Sequence, residues 1–178
     1  MNRAPISLTS GPRVTSAPPP LDYYDAILAG PVPGVKIALR EENGALCDVN
    51  FIDDGAPDQA PRTALGRRAA AQLRAYFADP RRPLDLPLAL TGTPFQKRVW
   101  AALCAIPAGE TRRYGELAEL LGSGPRAVGG ACRANPIPLF VPCHRVVAAG
   151  GAGGFMGRVE GPALALKHWL LQHERAMP

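Results

Sequence analysis

The sequence predicts an α/β chain in two parts, a small mixed unit followed by a helical one. Three observations carry the prediction. Between Val35 and Ile52, two runs of strand-forming residues flank an Asn43-Gly44 pair, a strong short-range signal for a hairpin. Beyond Thr93, four segments with apolar residues at helical spacing are punctuated by proline and glycine. Charge divides at the same place: residues 1–93 hold ten Lys/Arg against ten Asp/Glu, and residues 94–178 hold ten against five.

All of the net charge of +5 thus sits in the second part, which points to a polyanionic partner. With 47% hydrophobic and 20% charged residues, the 178-residue composition is that of a soluble globular protein with room for one large or two small cores. No apolar run approaches the ~20 residues of a membrane span. The first residues lack the continuous apolar stretch of a secretion signal, so the expected setting is intracellular. Cys47, Cys104, Cys132 and Cys143 form no C-x-x-C pair and no zinc-ligand spacing. A reducing compartment fits them, and a nucleophilic thiol needs one.

Residues 1–20 end in Ala17-Pro18-Pro19-Pro20 and are expected to form a disordered or extended tail; residues 21–92 form the first unit and 93–178 the second. Within the first unit, the hairpin places Cys47 in its second strand as packing. From Thr63 to Ala78, Leu65, Ala69, Leu73, Tyr76 and Phe77 recur at helical spacing until Pro80 and Pro83, giving a helix that covers one face of the hairpin. Leu84 to Leu90 reads as a strand or a connector.

The second unit opens at Thr93-Pro94, a threonine cap with proline in the first turn. Phe95, Val99, Leu103 and Ile106 form the buried stripe of this helix, with Cys104 beside it as core. Tyr114 precedes a helix from Gly115 to Leu121, closed by Gly122-Ser123-Gly124. The next begins at Pro125 and stops by Asn135, because Pro136 disfavours helix at the residue before it. Two short helices about a glycine-containing turn make a helix-turn-helix pattern. Gly129 and Gly130 cost about 1 kcal/mol each inside a helix. Either they allow close helix packing, or they leave a smooth face, with Arg126 and Arg133 on it, that approaches a groove wall. A DNA minor groove about 6 Å wide admits little bulk.

Asn135 to Val147 is a stiff apolar segment with prolines at 136, 138 and 142, one cysteine, and a strand at Val146-Val147. A lone cysteine is most often a small buried hydrophobe. A thiol becomes a useful nucleophile where a base or positive charge favours the thiolate, and His144, Arg145 and a later glutamate offer both. The glycine-rich stretch from Ala148 to Gly157 is a flexible loop or a cover over a substrate, offering backbone N–H donors with Phe155 and Met156 as an apolar lid. A last helix runs from Pro162 to His173-Glu174, anchored by its apolar residues; His168 and His173 read as surface residues.

The string Pro142-Cys143-His144-Arg145-Val146 after Asn135-Pro136, with Leu170-Leu171-Gln172-His173-Glu174, resembles the O6-alkylguanine-DNA alkyltransferase family. These suicide repair proteins take an alkyl group off guanine onto their own cysteine. The resemblance is specific over roughly residues 94–178 and general before them. It implies a small ribonuclease-H-like α/β domain, then a winged-helix-like domain carrying the helix-turn-helix and an active-site loop.

The resemblance makes Cys143 the acceptor and His144, polarised by Glu174 and acting through a water, its base. Asn135 would fix the turn before the nucleophile. Tyr114 would donate to the base and crowd the phosphate, so that the nucleotide rotates out at a cost of a few kcal/mol. The glycine-bearing helix would enter the minor groove through Arg126, Ala127, Gly129, Gly130 and Arg133, with Arg126 filling the gap left by the extruded base and Arg133 on phosphate. Pro138, Val146, Gly154, Phe155 and Met156 would line the substrate pocket. The loop running on through Arg158-Val159-Glu160-Gly161 is longer than the family's commoner form.

The implied partner is double-stranded DNA containing O6-alkylguanine, with O4-alkylthymine as a further lesion, bound by a monomer without cofactor or metal. Such a protein is cytoplasmic, and nucleoid-associated in a bacterium. Some relatives carry a structural zinc in the first domain; with one cysteine and no histidine before residue 100, this chain has no such site there. Two other classes share the features: a DNA-binding module without catalysis, and a Cys-His-Glu hydrolase. Cys143→Ala separates them, because only the alkyltransferase keeps DNA affinity while losing a stoichiometric transfer.

Overall fold

The computed structural model describes residues 19–175, so the expected tail lies outside the described residues except for Pro19 and Pro20. Among those residues the chain is mixed α/β, with five α-helices and two small sheets. Strands β1 (Ala26–Ala29), β2 (Lys36–Glu42) and β3 (Ala45–Ile52) form an antiparallel sheet in that order. The sequence predicts β2 and β3 but not β1, whose four residues are too few to show alternation. Asn43 at φ 53° and Gly44 at φ 75° both occupy the left-handed region, as the two-residue hairpin turn requires. The register shifts beyond it, Glu41 pairing with Leu46 and Arg40 with Asp48. Cys47 is the extra residue of this bulge, its Sγ 3.4 Å from the Arg40 carbonyl. Burial pushes its thiol up to about 11, which keeps it inert.

Helix α1 (Ala64–Ala78) starts where Thr63 accepts a hydrogen bond from the Gly66 N–H. It buries Leu65, Ala69, Leu73 and Tyr76 against the sheet face bearing Ile37, Leu39 and Val49. A smaller cluster of Tyr24, Ile27 and Ala38 occupies the other face. The 84–90 segment is a connector with one parallel bridge, Leu88 to Leu46: the Leu46 N–H donates to Pro87 O and the Ala89 N–H to Leu46 O, each at 2.9 Å.

Helix α2 (Pro94–Cys104) carries a full capping box, Thr93 and Gln96 each satisfying the other's backbone N–H. Its buried residues are Val99, Trp100 and Leu103, while Phe95 is only half-buried. Trp100, absent from the predicted stripe, donates its indole N–H to the Ala131 carbonyl at 2.8 Å and so ties α2 to α4. Then come β4 (Arg112–Arg113), α3 (Tyr114–Leu120), α4 (Pro125–Arg133), β5 (Val146–Val147) and α5 (Pro162–Arg175). Strands β4 and β5 pair in parallel, Arg112 with Val146 and Arg113 with Val147. Tyr114 opens α3 rather than preceding it. The same apolar core runs from the sheet and α1 through α2 to α5.

Candidate functional site

Residues 135–147 are held from both ends. The Val49 N–H of β3 donates to the Pro136 carbonyl at 2.9 Å, fastening the segment to the first sheet, and Val146-Val147 joins the second. Between them, Asn135 is an internal brace. Its amide donates to Val141 O at 2.8 Å and lies 3.3 Å from Cys143 Sγ, and its oxygen accepts from the Ile137 N–H at 3.1 Å. Pro142, at φ −80° and ψ 66°, is the centre of an inverse γ-turn in which the Cys143 N–H returns to Val141 O at 2.8 Å. Leu139 sits buried at φ 76°, a conformation that costs on the order of 1–2 kcal/mol for a non-glycine residue and persists because its surroundings fix it. Cys143 then opens a 3-10 turn that runs to Arg145.

Behind the thiol lies a saturated carboxylate. Glu174 is buried, and its Oε1 accepts from His144 Nε2 at 3.1 Å, Arg145 Nη2 at 2.7 Å and the Tyr76 hydroxyl at 2.7 Å. Its Oε2 accepts from Arg145 Nε at 3.0 Å and, at 3.4 Å, from the Gly109 N–H. Burial works to raise the Glu174 carboxyl, but His144 and Arg145 outweigh it and hold it well below the usual carboxylate range. With Nε2–H committed to Glu174, His144 Nδ1 is left with a lone pair and no hydrogen-bond partner among the described residues. Burial also lowers the His144 pKa, against the upward pull of Glu174, so the ring is a neutral base.

Cys143 is not a resting thiolate. Burial pushes its thiol up to about 11, in spite of the Asn135 hydrogen bond and the Lys167 charge that favour the anion. Arg145, read from the sequence as a charge for the thiol, turns instead to Glu174 and donates Nη1 to Ile106 O at 2.6 Å. Lys167 is the nearby cation. It is wholly buried on α5 and donates to Val146 O at 2.7 Å and Gly154 O at 3.0 Å; burial brings it down to about 8.

Cys143 opens onto a cavity of about 280 Å³. One wall is α4, through Arg126, Gly129, Gly130, Cys132 and Arg133; another is the 154–159 loop; Tyr114 closes a third side. Helix packing does not account for the glycine pair. A methyl at Gly130 would meet nothing within 4 Å, and one at Gly129 only the Tyr114 ring at 3.9 Å. The helix packs inward through Val128, Ala131 and Cys132, so its smooth face with both arginines is open.

The loop is a small hairpin. Phe155 and Arg158 exchange two backbone hydrogen bonds of 2.8 Å across Met156 (φ 49°) and Gly157 (φ 78°), a tight turn with both central residues left-handed. Phe155 is buried with its ring 5.6 Å from Phe51, and its N–H is already taken by Arg158, so it is no free donor for a substrate. Gly157 abuts the Arg133 stem, where a Cβ would stand 2.7 Å from Cδ.

The residues singled out in the sequence divide accordingly. Cys143, Tyr114, Arg126, Gly129, Gly130, Arg133, Gly154, Phe155 and Met156 surround one cavity, with Asn135, His144 and Glu174 behind the thiol. Ala127 is exposed on α4 outside that lining. Pro138 and Val146 are buried and do not line it either: Pro138 bridges to Val141, and Val146 spends its carbonyl on Lys167. His168 is exposed as expected, but His173 is not a free surface residue. It stacks on Trp169 at 4.5 Å, and its Nε2 lies 2.7 Å from Tyr76 O. The sequence alone assigns no site role to Lys167, Tyr76 or Cys132. For Lys167 a signal existed: it shares a helical face with Leu170 and Glu174, an odd place for a solvated lysine.

A mixed α/β chain with a buried thiol at an open cavity beneath a basic helix falls in the class of cysteine-centred proteins. The family model described as the 6-O-methylguanine DNA methyltransferase DNA-binding domain matches residues 94–176. The methylated-DNA–protein-cysteine methyltransferase of Methanosarcina acetivorans is 42% identical over 158 residues, covering 85% of this chain and 97% of that one. Its counterpart in Mycobacterium bovis is 54% identical over 85 residues, 47% of this chain and 52% of that one. The crystal structure of Mycobacterium tuberculosis O6-methylguanine methyltransferase is similar with a TM-score of 0.70 at 34% identity, covering 85% of this chain and 93% of that one. That of Mycobacterium tuberculosis OGT in complex with DNA gives 0.68 at 36% identity, covering 84% and 91%. The chain belongs to the methylated-DNA–protein-cysteine methyltransferase family.

Proposed function

We propose that this protein repairs DNA by transferring the alkyl group of O6-alkylguanine to Cys143, once per molecule. The observation that carries the reading is the position of Cys143, at the floor of a cavity walled by a smooth basic helix and backed by His144 and Glu174. In this reading the chain has two domains, a ribonuclease-H-like unit over 21–92 and a winged-helix-like unit over 93–178. Helix α4 lies in the minor groove of double-stranded DNA. Arg126 replaces the extruded nucleotide in the stack, Arg133 meets phosphate, and Ala127, Gly129 and Gly130 keep the contact surface low.

The chemistry is a displacement at the alkyl carbon. His144 Nδ1 takes the Cys143 proton through a water, the sulfur forms a bond to the carbon, and the carbon–O6 bond breaks with its electron pair going to guanine. Tyr114, its hydroxyl raised to about 12 chiefly by burial, is a proton-bearing donor to the departing base. A thiol near 11 implies that deprotonation accompanies substrate binding rather than preceding it. Glu174 stays ionised and fixes the His144 ring with Nδ1 free. Phe155 and Met156, on a loop tied to α5 by Lys167, form the apolar side of the pocket. The product is a carbon–sulfur thioether rather than a disulfide, so thiol exchange does not reverse it.

A single-turnover assay tests the reading. Wild-type protein mixed with a DNA duplex containing O6-methylguanine is expected to remove at most one methyl per molecule and then stop. Cys143→Ala is expected to bind the duplex equally well and remove none. Repeated turnover, or transfer by Cys143→Ala, contradicts the reading.

A further inference from the structure

We propose that Tyr76, from the first half of the chain, is a positioning residue for the acceptor chemistry: its hydroxyl fixes Glu174 and thereby sets the basicity of His144. The inference rests on the functional reading above for its rate effect, but not for its effect on the histidine. Tyr76 lies on α1, is 2% exposed, and reaches its hydroxyl 2.7 Å to Glu174 Oε1. That oxygen is the one His144 Nε2 meets at 3.1 Å, so tyrosine and histidine share one acceptor. The backbone carbonyl of Tyr76 meets His173 Nε2 at 2.7 Å, and the two rings make an edge contact at 5.6 Å. One residue of α1 therefore grips two consecutive residues at the end of α5.

The electrostatic consequence has a definite sign. A hydroxyl donating to Oε1 draws off part of the negative charge that would otherwise stabilise a protonated His144. Removing it makes the carboxylate a stronger partner and raises the His144 pKa. The other charged groups facing the pair are Arg145, from the 3-10 turn, and Lys167, from α5; both oppose protonation of the ring and both remain. Burial pushes the Tyr76 hydroxyl far above its ordinary range, so it acts as a donor at every working pH.

The test uses the full chain with Tyr76→Phe, which removes one oxygen and keeps the ring. His144 is titrated by the NMR shifts of its ring, and methyl transfer from the O6-methylguanine duplex is timed in single turnovers from pH 5 to 9. The expected result is an upward move of the His144 midpoint, and of the acid limb of the rate profile, by about one unit. Phe77→Leu is the packing control, since Phe77 meets Trp169 and Tyr76 but not the carboxylate; it is expected to lower the melting temperature without moving the midpoint. An unchanged His144 midpoint in Tyr76→Phe, or an equal move in Phe77→Leu, overturns the proposal. A wild-type protein that transfers no methyl overturns the functional reading instead, while the titration still decides the role of Tyr76.

Discussion

The amide of Asn135 stands 3.3 Å from the sulfur of Cys143, inside a loop that the same side chain holds at two further points. Brace and thiol partner are thus one residue. Asn135→Asp exchanges the donor facing the sulfur for a carboxylate while keeping an acceptor for the Ile137 N–H. Loss of a hydrogen bond to a charged group is worth about 1.5–3 kcal/mol, so transfer at pH 7 is expected to slow by roughly 10- to 100-fold. The thiol pKa, followed by pH-dependent alkylation with a small reagent, is expected to rise above that of the wild type.

Acid stability follows from Glu174 and His144. Both have folded pKa values below their unfolded ones, so each contributes stability that is present above its unfolded pKa and lost as pH falls through the folded value. The loss begins below about pH 6.5, as the unfolded histidine takes up a proton, and steepens below about 4.3, where the unfolded glutamate does. Glu174→Gln is expected to flatten the lower part of this dependence. At pH 7 it leaves Arg145 without its partner, at a cost of about 3–5 kcal/mol. Urea unfolding at a series of pH values measures both effects.

Lys167 ties β5 to the pocket loop, and Lys167→Met keeps most of the stem while removing the donor. The carbonyls of Val146 and Gly154 lose their partner, so amide exchange over residues 153–158 is expected to quicken. The Cys143 thiol is expected to titrate higher, because Lys167 is one of the groups that lower it.

On α4 stability and function are expected to part. Gly130→Ala meets open space in an ordinary helical conformation and is expected to stabilise the fold by up to about 1 kcal/mol. Gly130→Leu is expected to weaken DNA binding by adding bulk to the face that the proposed docking sets against the groove. Under the proposed docking, in which Arg133 meets phosphate, Arg133→Gln is expected to lower the slope of log affinity against log salt by about 1. Thermal melts and binding titrations at several salt concentrations separate these outcomes.

How much of this was legible beforehand depended on whether the signal was local. The Asn43-Gly44 turn, the Thr93 cap and the proline limits of α4 are written in neighbouring residues, and those elements stand where the sequence puts them. Strand β1 carries no such mark, because four apolar residues fit a strand or a core segment equally. The catalytic candidates at 143, 144 and 174 came from a motif rather than from periodicity. What a motif cannot convey is the tertiary partner: Arg145 turning to Glu174, Lys167 buried beneath the loop, and Tyr76 reaching in from α1 are contacts across 13 to 98 positions. The resting state of the thiol is likewise not written in its neighbours, since burial, which dominates it, is a property of the whole fold.

The central claim, that Cys143 is the alkyl acceptor, is tested most directly by intact-mass analysis after incubation with a duplex containing one O6-methylguanine, followed by peptide mapping. The account predicts a gain of one methyl group per protein molecule, carried by the peptide that contains Cys143 and absent from the Cys143→Ala variant. An unchanged mass with the lesion intact, or a methyl on the peptide of Cys132 or Cys104, would contradict it.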